Sequence, residues 1–168
     1  MNNISVIIPA HNEEKTISKV IDIVKKSNMN CEIIVIDNCS NDNTIQVAQK
    51  SGAKVFECNQ QGKGYAMEKG LQYAQNEIVV FIDADIITEK NDIISILVEP
   101  IINRNVDFVK STFQRLSGGV VTEIVTKPLL NILFPEMYKF SEPLSGMIAS
   151  KKSILEKIVF EKDYGVDI

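Results

Sequence analysis

A chain of 168 residues with 45% apolar and 24% charged residues has the length and composition of one soluble domain with a single core. Its net charge of −4 argues against non-specific nucleic-acid binding. One histidine, His11, excludes a His-rich zinc site, and three cysteines without CxxC spacing read as reduced cytosolic thiols.

No apolar run approaches the ~20 residues that a membrane helix needs, and the N-terminus has no basic region of a secretory signal. The expectation is a cytoplasmic protein without a membrane anchor. The first element, "ISVIIPA" (4–10), is an apolar, β-branched run that reads as a buried strand. From Thr16 to Lys26 the apolar residues Ile17, Val20, Ile21 and Val24 fall at helical spacing. "CEIIVID" (31–37) is a second buried strand, followed by a polar loop and a helix over 43–51. "AKVFEC" (53–58) is a third strand, and a helix over 65–75 follows the loop "NQQGKG". "EIVVFIDAD" (77–85) is the fourth strand.

Continuously apolar strands alternating with helices indicate a mostly parallel sheet covered on both faces. The expected fold class is α/β, a Rossmann-like three-layer sandwich. Beyond Asp92 the pattern predicts an amphipathic helix (92–103) and a strand (106–115). A glycine turn and a helix interrupted or kinked at Pro128 come next. A loop, a short strand and a terminal helix complete the chain.

In such sheets ligands bind beyond the carboxyl ends of the strands. Four polar clusters sit there: His11-Asn12-Glu13-Glu14, Asp37-Asn38, Gly62-Lys63-Gly64 and Asp83-Ala84-Asp85. In extended chain, side chains two apart point to one side, so Asp83 and Asp85 are expected to face one cleft. Paired carboxylates repel unless a cation compensates them, and Mg²⁺ or Mn²⁺ takes such ligands together with substrate phosphates. A solvated turn is the bland alternative for a lone Asp-x-Asp. Its place at the end of a buried strand, beside the other clusters, favours the metal.

Gly62-Lys63-Gly64 is not a phosphate-binding Walker loop, because position 57 is Glu and position 64 is Gly. It reads either as a close backbone approach to a ligand, with Lys63 as a phosphate counter-charge, or as a flexible turn. Gly118-Gly119 would open a helix whose N–H groups hold an anion, or form a simple tight turn. His11 is expected to pack or bond locally.

The string "SVIIPAHNEE…IIVIDNCSND…GKGYAM…FIDAD" resembles the nucleotide-sugar half of GT-A glycosyltransferases. "GGVVTEIVTKPLLNILFPE…EPLSGMIASKK…YGVDI" is similar to the glucosyl-3-phosphoglycerate synthase family, retaining enzymes of that fold. The resemblance implies one GT-A domain over 1–168, with a nucleotide-sugar part (1–86) and an acceptor-side part (87–168) short at its C-terminus. It implies transfer of a sugar, glucose by the family pattern, from a UDP-sugar to a small phosphorylated or carboxylated acceptor such as 3-phosphoglycerate, with Mg²⁺ or Mn²⁺.

By resemblance Pro9, His11 and Glu13 line the uridine pocket with Asn38 beside it. Lys63 approaches the nucleotide or its diphosphate, Asp83 contacts the nucleotide sugar, and Asp85 ligates the metal. Leu144, Ser145 and Gly146 border the sugar, while Gly119, Val120, Val121 and Thr122 form the acceptor site. Asp167 stands where the family has a glutamate near the reacting sugar.

The sequence departs from that pattern in three places. Val120 replaces the arginine of "GGRVT", removing a bidentate phosphate contact. Asp167 is one methylene shorter than glutamate. The family continues beyond the position of Ile168 with a segment that carries a histidine metal ligand. A weakly active or inactive nucleotide-sugar-binding module is therefore the alternative reading. A sheet half covered for want of that segment would expose apolar surface, so a homodimer is expected. "PAHNEE" after the first strand, in place of a glycine-rich loop with Arg and Lys, disfavours a sugar nucleotidyltransferase.

Overall fold

The computed structural model describes residues 3–86, 92–111, 126–136 and 145–162. Six strands form one sheet: β1 (Ile4–Ala10), β2 (Cys31–Asp37), β3 (Lys54–Glu57), β4 (Ile78–Phe81), β5 (Phe108–Lys110) and β6 (Ile148–Lys151). Among the described residues six helices accompany them: α1 (Ile17–Lys26), α2 (Thr44–Lys50), α3 (Lys63–Tyr73), α4 (Ile93–Asn103), α5 (Lys127–Leu133) and α6 (Lys152–Leu155). The strand order is β3-β2-β1-β4-β6-β5. The β1–β2, β1–β4 and β2–β3 pairs are parallel, while β6 runs antiparallel to both β4 and β5.

The unbroken apolar runs have the expected cause. Alternate residues of each central strand enter different cores. Ile4, Val6 and Ile8 of β1, with Ile33 and Val35 of β2, pack under α1, α2 and α4. Ile7, Ile34, Ile36, Val79 and Phe81 pack under α3, α6 and Phe160. Both faces are dry, so the layers are helix, sheet, helix, as expected for a GT-A-type α/β sandwich. The α1 stripe read from the sequence is buried as a unit, with Ile23 added to it.

Several expectations need correction. The fourth strand stops at Phe81, not Asp85. Ile82 still donates its N–H to the Ile7 carbonyl (3.1 Å), and then the chain turns at Ala84 and Asp85. The strand alternation therefore does not orient Asp83 and Asp85: Asp83 is half-buried and Asp85 exposed. Helix α3 starts two residues early, at Lys63, because Gly62 takes φ +138° and leaves the strand-to-helix loop there. Pro128 lies in the first turn of α5, where its missing N–H costs that helix no hydrogen bond; Thr126 before it already has helical φ and ψ, and the residues further upstream, where the interrupted helix is expected, lie outside the described ones. Among the described residues of the strand expected over 106–115, Phe108–Lys110 is strand; its last residues lie outside the described ones.

Candidate functional site

The carboxyl ends of β1, β2, β3 and β4 lie along one edge of the sheet, because those strands are parallel. Strand β6 runs the other way and pairs Ile148 with Phe81, so residues 145–147 arrive at that same edge. Antiparallel insertion of β6 is thus what brings a late part of the chain to the early polar clusters.

The loops after β1 and β2 are knitted together. The Asn12 N–H donates to Ser40 Oγ (2.9 Å), and Asn41 N–H to Asn12 Oδ1 (2.8 Å). The Glu13 N–H donates to Thr44 Oγ1 (2.7 Å), and Glu14 N–H to Asp42 Oδ2 (3.1 Å). Glu14 in turn accepts from the Asn43 backbone and amide. Asn12 and Cys39 hold left-handed φ values of 57° and 62° at the two loop entrances. Desolvation acts to raise the Asp42 carboxyl. Hydrogen bonds from Thr44 and Glu14 outweigh it and hold the group below the usual carboxylate range. The result is a fixed platform rather than two independent loops.

His11 bonds locally, as expected. Its Nδ1 lies 2.7 Å from the Asn38 carbonyl and its Nε2 3.0 Å from Asn12 Nδ2. Only Nδ1 can donate in that arrangement, with Nε2 accepting from the amide. Glu13 is half-buried, and its carboxylate accepts from the Thr16 hydroxyl at the start of α1. Pro9 is half-buried on β1.

Asn38 is fully engaged. Its N–H donates to the Ala10 carbonyl (2.8 Å), and its Nδ2 to the Gln60 carbonyl (2.7 Å). Its Oδ1 accepts the Gly62 N–H at 2.7 Å. One buried side chain therefore ties the ends of β1 and β2 to the entry of α3. Next to it, Asp37 is 3% exposed. Its Oδ2 accepts from the Ser40 N–H, while Oδ1 is a buried oxygen without a hydrogen-bond partner. Such an acceptor is costly unless something donates to it. The sequence reading placed Asp37 among the strand-end clusters but assigned the site to Asn38. Nothing local distinguishes the two, and they are equally buried; only their hydrogen bonds do.

Lys63, Asp83 and Gly146 meet at the centre of the edge. Lys63 Nζ is 2.8 Å from Asp83 Oδ1. A Cβ added to Gly146 would stand 2.5 Å from Asp83 Oδ1 and 2.7 Å from both Asp83 Oδ2 and Lys63 Nζ. Gly146 therefore covers the pair closely, and a side chain there would have to push the two charged ends aside. Beside it Ser145 is buried, bonded to the Ser111 hydroxyl and accepting from the Met147 N–H. The repulsion expected between Asp83 and Asp85 is already relieved by Lys63. That leaves the exposed Asp85 as the carboxylate best placed to hold a cation together with phosphate oxygens. Among the described residues no cluster of three or more His, Cys, Asp or Glu side chains could hold an ion by protein ligands alone.

The glycines of Gly62-Lys63-Gly64 do mark a close backbone approach. The group that approaches is the chain's own segment at Glu161 and Lys162, whose carbonyls fill the space beside Gly64 and Gly62. Gly119, Val120, Val121, Thr122, Leu144 and Asp167 lie outside the described residues.

Residues 5–162 match the pattern of Glycosyl transferase family 2. The chain is 36% identical, over 189 aligned positions, to the glucosyl-3-phosphoglycerate synthase of Petrotoga mobilis, covering 98% of this chain and 58% of that protein. Among solved structures it is similar to the Mycobacterium tuberculosis glucosyl-3-phosphoglycerate synthase in complex with Mn²⁺, UDP-glucose and phosphoglyceric acid. That likeness has a TM-score of 0.90 at 37% identity, over 99% of this chain and 63% of the other. The same enzyme with Mg²⁺ and UDP gives 0.89 at 37% identity, over 99% and 62%. The chain thus spans somewhat under two thirds of the relatives it matches. On the extent of the family match and the likeness in fold, the chain belongs to glycosyl transferase family 2.

Proposed function

We propose that this chain binds a UDP-sugar, UDP-glucose by its similarity to the synthases, and transfers the sugar with retention to a small phosphorylated or carboxylated acceptor. The observation that carries the reading is the convergence of Lys63, Asp83 and Gly146 beside Asp85, at the strand ends where α/β sheets hold nucleotides. The base and ribose would lie against Pro9, His11 and Glu13, with Asn38 holding the wall. The buried Asp37 Oδ1 is an acceptor suited to a ring N–H. Lys63 would face the diphosphate and Asp83 the sugar, with Ser145 and Gly146 at its border.

A divalent cation, Mn²⁺ or Mg²⁺ as in the synthase structures, would sit on Asp85 and supply electrostatic stabilisation of the departing UDP. Lys63 adds a fixed positive charge at the same end of the donor, and its pairing with Asp83 holds it there before the donor arrives. Front-side attack with retention needs no dedicated strong base. Residues 119–122 are proposed to receive the acceptor, with Leu144 and Asp167 near the reacting sugar.

A second reading, nucleotide-sugar binding without transfer to phosphoglycerate, is favoured by Val120, which lacks the guanidinium of the family's acceptor loop. We further propose a homodimer working in the cytoplasm. Support for association comes from α5, where Leu129, Ile132, Leu133 and Phe134 are all more than half exposed. Among the described residues no helix is long and apolar enough to cross a membrane.

The test is UDP release from UDP-glucose with Mn²⁺, with and without 3-phosphoglycerate, and with mass analysis of the products. Acceptor-dependent release with a glucosylated product supports transfer. Donor binding with no acceptor-dependent product rejects transfer to phosphoglycerate in favour of the second reading.

A further inference from the structure

Helix α3 begins without a side-chain cap. The first N–H groups of a helix have no partners within it, and uncapped first turns fray. Yet the first residue of this helix is Lys63, whose ammonium must stay against Asp83 for the site to exist. Asn38 holds the Gly62 N–H at its entry, and the turn that carries Lys63 needs a further hold.

The segment after α6 occupies the required position. A Cβ on Gly64 would lie 1.6 Å from the Glu161 carbonyl oxygen and 2.7 Å from its carbon. A Cβ on Gly62 would lie 2.0 Å from the Lys162 carbonyl oxygen. These are backbone atoms, so they cannot step aside as a flexible side chain would. The segment is anchored at both ends. Phe160 is buried in the core beneath α3, edge-on to Phe81 with ring centroids 6.0 Å apart. The Lys162 ammonium pairs with Glu68 of α3 and stands over the Tyr65 ring, 5.3 Å from its centroid. Phe160 to Lys162 thus form a strap across the first turn of α3, with Lys63 between the two glycines that receive it.

We infer that this strap is a positioning element of the donor site. It holds the first turn of α3, and through it Lys63 against Asp83, although its own anchors are Phe81, Tyr65 and Glu68 rather than any residue assigned to the donor. The inference rests on the donor reading above only where it concerns the diphosphate. The hold on Lys63 is a property of the unliganded chain. A strap of this kind bears most directly on the phosphate end of the donor; it reaches the base end only through the Gly62 N–H that Asn38 Oδ1 accepts, while His11 is tied to the loops after β1 and β2.

The experiment has two arms. In the first, Lys63 of the unliganded chain is labelled with acetic anhydride and quantified by mass spectrometry. Gly64→Ala, Phe160→Ala and the milder surface variant Lys162→Ala are compared with the unmodified chain, well below their melting temperatures. Exposed Lys54 is the internal control. The expected result is severalfold faster labelling of Lys63, largest in Gly64→Ala, with Lys54 unchanged. In the second arm, UDP with Mn²⁺ and uridine alone are titrated into each protein. UDP affinity is expected to fall about tenfold, and uridine affinity by much less. General loosening would instead speed all lysines and weaken both ligands together. Lys63 labelling equal to that of the unmodified chain in Gly64→Ala and Phe160→Ala would overturn the strap. Faster Lys63 labelling in a chain that binds no UDP even unmodified would keep the strap's hold on Lys63 and reject the donor reading.

Discussion

Gly146→Ala probes the centre of the site with one methyl group. The added Cβ would fall 2.5 Å from Asp83 Oδ1 and 2.7 Å from Lys63 Nζ, where ordinary contact begins at 3.4 Å. The carboxylate and the ammonium must each retreat by about 0.7 to 0.9 Å, or the backbone of 145–147 must lift by as much. Parting of the two groups stretches a 2.8 Å ion pair beyond hydrogen-bonding distance, and a lift of 145–147 takes the cover off it. The pair is partly open to water, Lys63 at 18% and Asp83 at 29% side-chain exposure. Its loss should therefore cost only about 1 kcal/mol of stability, the range of screened pairs. For a chain of this size that is a fall in Tm of about 2–4 °C. The effect on the donor should be larger, because Lys63 and Asp83 are the groups proposed to face it. We expect UDP-glucose affinity, read by calorimetry with Mn²⁺, to fall at least tenfold, or about 1.4 kcal/mol. Unchanged affinity in a folded Gly146→Ala protein would refute the assignment of this triad to the donor.

Other substitutions test the surroundings. Asn38→Ala leaves the Gly62 N–H and two backbone carbonyls without their partner, and should destabilise the chain by about 2–3 kcal/mol in urea unfolding. Asp37→Asn keeps the shape but removes the charge of the unpartnered oxygen, and should weaken uridine and UDP alike by about tenfold in parallel titrations. At the opposite edge of the sheet, burial acts to raise the Glu32 carboxyl, but hydrogen bonds from Ser5, the Gln75 N–H and Lys54 outweigh it and hold it below the usual range. Its stabilisation is then fully present above the unfolded pKa of about 4.3 and is lost as pH falls through the lower folded value. Stability measured from pH 6 down to pH 3 should fall less steeply in Glu32→Gln than in the unmodified chain.

Much of this architecture is legible locally. Strands β1 and β2 have the boundaries read from their mainly apolar runs, because a strand buried on both faces is rich in apolar residues along its whole length. The same logic overextends β4. Ile82 is apolar and buried, but it already leads into the turn, so hydrophobicity continues past the last ladder pair. The antiparallel course of β6 has no local signal, and with it the meeting of Gly146 with Asp83 is invisible in the sequence. The glycines at 62 and 64 announce a close approach without naming the partner. Glu161 lies far along the chain, and a ligand phosphate or a strand of backbone would demand the same missing Cβ. Asp37 and Asn38 are adjacent and equally polar. Only the network from Asn38 to Ala10, Gln60 and Gly62 shows that one is committed and the other has an oxygen to spare.

The most direct test of the account is calorimetric titration of UDP-glucose with and without Mn²⁺, on the unmodified chain and on Asp85→Ala. The account predicts Mn²⁺-dependent binding that Asp85→Ala abolishes, since Asp85 is the exposed carboxylate left after Lys63 has paired with Asp83. Binding of equal strength without the metal, or in the variant, would contradict it.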